Sequence, residues 1–463
     1  MAIDFPNSPA VNALYTAGGK TWQWNGTYWA AYGTGPVLRT SDTAPVSPNA
    51  GDLWYETDTG RFFTYIDSAW VEIGNATDIA GALQPSQMTA LSAVTTLTSD
   101  DIFPVVDGPS SAVASSKITA DNLASQLAQF APQTSFRNAI INGDFRVNQR
   151  AFTSITASDT YGFDRWAFQA SGGTSTMTPQ TFTVGSPAAT GYESEKFCRL
   201  VTSGQSGVND YSILYQKIED VRTFANSTVT ISFWAKAASG TPKIAVEFGQ
   251  VFGTGGSPSA GVNTYAGQST ISTSWARYSI TATVPSISGK TIGTTANTSL
   301  LGINFWVSGG STFNSRTGSI GIQNNTFDIW GVQVERGSVA TPFEQRPQQT
   351  ELALCQRYYY RFIDGTGQPI GLGVYTFTTL VAFYIIFPVT MRIAPVLVSS
   401  TGTNYYVAVQ GFTTDYFNSV TTSQMSNKVA YIYNGTEVSA SAGAVYGIYS
   451  NDTNASIAFN AEL

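Results

Sequence analysis

The sequence predicts an all-β, multidomain chain, and three observations carry that expectation. Only 11% of its 463 residues are charged while 13% are aromatic. Its polar surface therefore falls to Ser, Thr, Asn, Gln and Gly, which suit turns and twisted sheets better than helices. Apolar and polar residues alternate with period two through much of the stretch from Phe136 to Arg346. The first 75 residues hold two glycine-flanked aromatic segments, "GKTWQWNGTYWAAYG" and "GRFFTYIDSAWVEIG". A chain this long exceeds what one hydrophobic core serves, so several domains are expected.

Each aromatic segment reads as a β-hairpin. Asn25-Gly26 suits a two-residue turn with positive φ, which pairs Trp22 with Trp29 and sets Trp22, Trp24 and Trp29 on one face. In the second segment Phe63, Tyr65 and Trp70 take the matching places. A lone hairpin is marginal in water, so each face either forms a small core of its own or docks on a larger assembly. The first module spans 1–36 and the second 37–75, with the Pro-rich "RTSDTAPVSPNAGDLWYETDT" read as a link. Residues 76–136 are rich in Ala, Ser and Thr and form a connector. Within it Phe103–Val106 reads as a strand and Thr119–Phe130 as a helix, capped by Thr119, with Leu123, Leu127 and Phe130 on one face. Such a helix is too short to stand alone, so association with copies of itself or with a neighbouring domain is expected.

Residues 137–346 carry the strict alternation of an antiparallel, jelly-roll β-sandwich. Val229, Ile231, Phe233 and Ala235 point one way. So do Leu301, Ile303, Phe305 and Val307 in a second strand, Tyr278, Ile280, Ala282 and Val284 in a third, and Trp330, Val332 and Val334 in a fourth. From 347 a single helical turn capped by Thr350 leads into the strand around Tyr358–Tyr360. Strands at Leu380–Phe387, Tyr405–Val409, Lys428–Tyr433, Val445–Tyr449 and Ser456–Phe459 make a second, separate β domain, 347–463.

Composition also excludes. A net charge of −7 argues against a nucleic-acid role. The absence of histidine removes the commonest general base, zinc ligand and pH switch. Cys198 and Cys355 fall in different domains and read as buried free thiols. The opening "MAIDFPNSPAVNAL" does not read as a signal peptide, and "TTLVAFYIIFPV" is too short to span a bilayer. A soluble protein made in a cytoplasm is expected, with no cofactor.

"RNAIINGDFRVNQRA", "YGFDRWAF", "IWGVQVERGSVATPFEQRP" and "ELALCQRYYYRF", together with the two aromatic segments, resemble the bacteriophage tail-fibre family with a carbohydrate-binding-module-like jelly roll, in particular the fibres of cyanophages. That resemblance implies a homotrimeric, fibrous virion component. Its N-terminus would attach to the tail or baseplate, placing Trp22, Trp24 and Trp29 at the docking end. Its C-terminus would face the host, meeting a surface polysaccharide or lipopolysaccharide during adsorption without cleaving it. A structural spacer is the alternative, and a polysaccharide depolymerase a third reading.

Candidate ligand contacts follow from aromatic residues beside neutral hydrogen-bonding groups, which suit polyhydroxylated ligands. Trp234 and Trp306 lie opposite the aliphatic residues of their strands, beside Lys236 and Asn304. They are either stacking platforms or rings buried under a loop or another protomer. Tyr405, Tyr406, Tyr416 and Tyr433, with Phe412 and Phe417, mark a second location in the C-terminal domain, where receptor engagement is expected. Cleavage would need two carboxylates of opposed pKa. Asp144, Asp159, Asp164, Glu193 and Glu195 are the acids available, Asp164-Arg165 reads as a local ion pair, and no spacing selects a catalytic pair. Whether Asp144 and Asp328 hold calcium is open.

Overall fold

The aromatic segments fold as hairpins, but the first turn sits one residue further along than Asn25-Gly26 would place it. The computed structural model describes residues 5–17, 20–32, 38–75, 102–107, 114–119 and 136–463. It divides the chain into two compact units, Met1–Leu97 and Thr98–Leu463. In the first unit β1 (Leu14–Ala17), β2 (Lys20–Trp24) and β3 (Trp29–Tyr32) form a three-stranded sheet in which Trp24, rather than Trp22, pairs with Trp29. Moving a turn by one residue slides the pairing by two, and two is the period of the strand. Trp22, Trp24 and Trp29 therefore keep a common face. Phe5 stacks on Trp29 with ring centroids 5.5 Å apart, meets Trp22 edge-on at 5.4 Å, and is joined by Tyr15.

The second module is larger than the hairpin alone. The stretch read as a link supplies β4 (Leu38–Ser41) and β5 (Leu53–Glu56), which pair parallel with each other. They extend the hairpin of β6 (Arg61–Ile66) and β7 (Ala69–Asn75) into a four-stranded sheet. Buried Trp54 stacks on Phe63 at 4.7 Å and abuts Trp70, and its indole N–H donates to the Ser41 carbonyl at 3.1 Å. Tyr65 pairs with Trp70 as Trp24 does with Trp29, so the two segments share one register.

In the second unit, β8 (Ile102–Asp107) and β9 (Ala114–Thr119) form an isolated antiparallel pair. The helix expected after Thr119 lies outside the described residues. The sandwich follows. Its six-stranded sheet runs β10 (Thr160–Tyr161), β11 (Ala167–Ser171), β14 (Tyr211–Ile218), β19 (Ser299–Gly309), β16 (Lys243–Phe252), β17 (Val262–Thr270). Its five-stranded sheet runs β12 (Thr174–Thr181), β13 (Lys196–Ser203), β20 (Thr326–Arg336), β15 (Thr228–Ala237), β18 (Ala276–Thr283). Inward residues of both sheets fill one core, with Phe233 edge-on to Phe305 at 5.4 Å.

One face assignment is corrected. Phe327 and Ile329 point inward, as do Val332 and Val334, but Trp330 points out beside Trp234. Gly331, at φ +64°, opens a β-bulge where β20 has one residue more than β15, and the alternation changes phase there.

Beyond the sandwich, α1 (Gln348–Gln356) has nine residues, more than the expected single turn. It follows Pro347 rather than starting at Thr350, and Glu351 lies in its first turn. Ten strands complete the unit. β21 (Tyr359–Asp364), β30 (Ser456–Asn460) and β24 (Val396–Ser399) form one sheet. The other runs β26 (Thr413–Phe417), β25 (Tyr406–Gln410), β29 (Val445–Ser450), β22 (Pro369–Phe377), β23 (Leu380–Ile386), β28 (Val429–Asn434), β27 (Thr421–Met425). A second core lies between them.

Buried arginines tie these strands to the sandwich. Arg165 is ion-paired with Glu462, donates to the Lys217 carbonyl and lies 3.5 Å over the Tyr358 ring. Arg150 reaches Glu462 at 3.3 Å. Arg392 donates to the Ala461 and Glu462 carbonyls, both at 2.7 Å, and to that of Asn297 at 2.6 Å. Asp164 does not pair with Arg165: it accepts from the Gln149 amide and side chain at 2.7 and 2.8 Å. Cys198 and Cys355 are free and buried. Among the described residues no helix is long and apolar enough to cross a membrane.

Candidate functional site

A trough crosses the outer face of the six-stranded sheet, and its floor is set by two glycines. Strand register lines up Lys217 of β14, Gly302 of β19, Gly249 of β16 and Asn263 of β17 in one row. The next row holds Tyr215, Asn304, Glu247 and Tyr265. No side chains rise from Gly249 and Gly302, so the floor is low there, and both glycines are buried beside the Asn304 and Asn263 amides. Asn304 leans over the pair: a Cβ added at Gly302 would meet its Oδ1 at 3.3 Å. The resulting cleft of about 250 Å³ is also lined by Asp159, Gln169 and Arg316.

A buried polar network fixes the lining. Glu247 is fully buried, and Arg316, carried on the helical turn Asn314–Thr317, grips it through two bonds of 2.6 and 2.9 Å. The same carboxylate accepts from the Asn304 amide and the Trp306 indole, each at 3.0 Å. Paired and hydrogen-bonded, a buried carboxylate of this kind holds its neighbours in one arrangement. At the other end Tyr215 and Gln169 donate to Asp159 at 3.2 and 3.3 Å. Lys217 donates to the Leu463 main-chain oxygen at 2.7 Å, and burial pushes its pKa down. Beside these paired charges the lining offers the amides of Gln169, Asn263 and Asn304, the Tyr215 hydroxyl and the aliphatic Ile213, Val251 and Leu300, able to meet a neutral polar ligand.

The residues singled out from sequence are placed differently. Trp306, 1% exposed, lies under Arg316, Tyr211 and Phe313. Trp234, 7% exposed, is enclosed by Trp330, Tyr192, Phe343 and Arg277. Neither ring offers a free stacking face, because loops cover both outer faces at those points. Tyr406 is buried on the inner side of its sheet and donates to the Ser456 carbonyl at 2.9 Å. Tyr405 and Tyr433 are half-buried and Tyr416 is exposed. Tyr416 and Tyr433 stand on β26 and β28, whose ends the curl of the sheet brings together: the Asn434 amide donates to the Ser419 carbonyl at 3.0 Å, and Glu437 accepts from both Asn418 and Asn434. Tyr406, turned inward, therefore cannot share an outward-facing site with Tyr416. Trp22, Trp24 and Trp29 are half-buried against each other and Phe5.

The acids divide among separate settings. Asp144, Glu193 and Glu195 share a cleft of about 440 Å³ with Arg146 and Arg346. Asp144 is ion-paired with Arg146, Glu193 accepts the Gly185 amide at 2.8 Å, and Glu195 meets Lys196 at 3.1 Å. Asp164 is fully buried, and burial raises its pKa to about 6. Asp328 is bound by Arg199 at 2.7 and 2.9 Å and neighboured by Lys236 at 3.6 Å. Cations thus engage both carboxylates considered for calcium. Sequence reasoning named Asn304 but missed the glycine pair. Its signal was present, since "LLGINF" and "EFGQVF" each set a glycine inside a strand.

No family model and no curated protein matches the chain. Among solved structures, it is similar to the enzymatically active domain of tailspike protein 4 of bacteriophage CBA120, at 14% identity and a TM-score of 0.27. That match covers 44% of this chain and 22% of the tailspike chain. A CBM4 structure matches at 15% identity and a TM-score of 0.25, covering 42% of this chain and 98% of its own. A family 11 carbohydrate-binding module from Clostridium thermocellum, in complex with a mixed-linked tetrasaccharide, matches at 11% identity and a TM-score of 0.23, covering 41% and 98%.

Proposed function

We propose that the chain is a non-enzymatic tail-fibre protein of a virion that binds a glycan of the host surface through the trough of its six-stranded sheet. One observation carries the reading: the row Lys217–Gly302–Gly249–Asn263, flanked by Asn304 and Tyr215. A floor without side chains, edged by amides, matches the alternating donors and acceptors of a sugar, and needs no formal charge on the ligand. The motifs that resemble tail fibres support the virion setting, with the aromatic modules toward the tail. Receptor engagement thereby moves from the C-terminal strands to the sandwich, since Tyr406 is internal and Tyr405 and Tyr433 are half-buried. The acids of the larger cleft are each engaged by a cation or a main-chain amide, which favours binding over cleavage.

Gly249→Val tests this. A Cβ there would stand 3.4 Å from the Asn304 amide nitrogen and 3.5 Å from the Asn263 amide oxygen, so the γ-methyls of valine crowd these two amides rather than backbone and take the space a ligand would use. The full chain should bind neutral oligosaccharides at about 1 mM per site and should block adsorption of particles to host cells. Gly249→Val should lose both while keeping the circular dichroism of the parent. Blocking that survives the substitution would move the site elsewhere. Absence of blocking by the parent chain would favour the spacer reading.

A further inference from the structure

The run "LVAFYIIF", Leu380 to Phe387, has no polar residue at alternate positions, the pattern of a strand covered on both faces. In β23 only one face is covered. Val381, Phe383 and Ile385 enter the core, whereas Tyr384 and Ile386 are 68% and 78% exposed. The neighbouring central strands repeat this. Leu372 and Val374 of β22 are 72% and 41% exposed, and Val445 and Tyr449 of β29 are 44% and 38% exposed. Register makes the patch continuous, since Val374 pairs with both Val445 and Ala382.

We infer that this outer face of the seven-stranded sheet is an interface, covered by a second copy of the chain. The inference stands apart from the glycan trough, which lies on the other sheet system. Three features point to the occupant. Taking about 150–250 Å² for each large side chain, the six leave on the order of 700 Å² open. That lies at the upper end of the apolar patches of about 300–600 Å² found on monomers and approaches the roughly 800 Å² each partner contributes to a stable interface. No outward position on the three central strands is charged, as in permanent interfaces between identical subunits and unlike transient ones. A lipid surface would be met by cations, but this face has none and the chain carries a net charge of −7.

Sedimentation of the full chain tests the inference. The parent should run as an assembly. Leu372→Lys/Ile386→Lys should run as a single chain with unchanged circular dichroism, and Val184→Lys, at a sandwich position 92% exposed, should assemble like the parent. If the double variant fails to fold, Ile386→Gln alone carries the comparison, with at least a tenfold weaker association expected. A parent that sediments as one chain would overturn the inference, whether another part of the chain or a different protein covers the face. So would an assembly that both face variants leave intact.

Discussion

Glu462 offers the sharpest test of how the sandwich and the following strands are joined. Its carboxylate is 4% exposed and neutralises Arg165, itself 1% exposed, while also reaching Arg150 at 3.3 Å. Glu462→Ala leaves the Arg165 guanidinium buried with only the Lys217 carbonyl and the Tyr358 ring to answer its charge. Removing one member of a buried pair costs about 3–5 kcal/mol. The main-chain bond from Arg392 to Glu462 does not involve the side chain and survives. For folded bodies of about 150–250 residues, each kcal/mol moves the melting temperature by about 2–4 °C, so a fall on the order of 10 °C is expected by scanning calorimetry of the full chain. Arg165→Met/Glu462→Met removes both charges and should recover most of that loss. A fall under about 2 °C for Glu462→Ala would refute the reasoning, as would a double variant no more stable than the single one.

Other outcomes follow from individual residues. Burial raises the Asp164 pKa to about 6 from an ordinary 3.8. The folded chain therefore keeps a proton there that the unfolded chain releases, and the stabilisation is full below pH 3.8 and lost as pH rises through 6. The melting temperature of the parent relative to Asp164→Asn should decline across that window, by up to about 3 kcal/mol in stability, and a flat difference would contradict the assignment. Gly331→Val combines a left-handed backbone, φ +64°, with a Cβ only 2.6 Å from the Trp234 ring. It should cost about 3 kcal/mol in urea denaturation, and a loss below about 1 kcal/mol would mean that the bulge tolerates side chains.

Period two made the sandwich core legible: Val229, Ile231 and Phe233, and Leu301, Ile303 and Phe305, enter the core as their spacing requires. It failed at Trp330, because one inserted glycine changes the phase and composition does not announce a bulge. The strands Thr413–Phe417 and Thr421–Met425 were missed since, at the sheet edges, they keep few apolar positions. The trough was half legible. Asn304 stood out on its strand, yet Lys217, Gly302, Gly249 and Asn263 meet only through the pairing order of four strands. Pairing order is a property of the whole sheet, not of any segment. The Asp164-Arg165 reading failed for the same reason, as each charge found its partner elsewhere.

The clamp between Arg165 and Glu462 closes across 297 positions of sequence. Bringing such distant segments together is entropically slow, whereas the sandwich strands around Arg165 are mostly nearer neighbours. A partly folded chain in which the sandwich has closed before β30 docks would carry a desolvated guanidinium with no counter-charge. That species is poorly stable on its own terms, which makes docking of the last strand the step that commits the fold. A cell's quality control would meet the protein in that half-finished form, so substitutions at the clamp should lower yield of folded protein more than their effect on final stability alone would suggest.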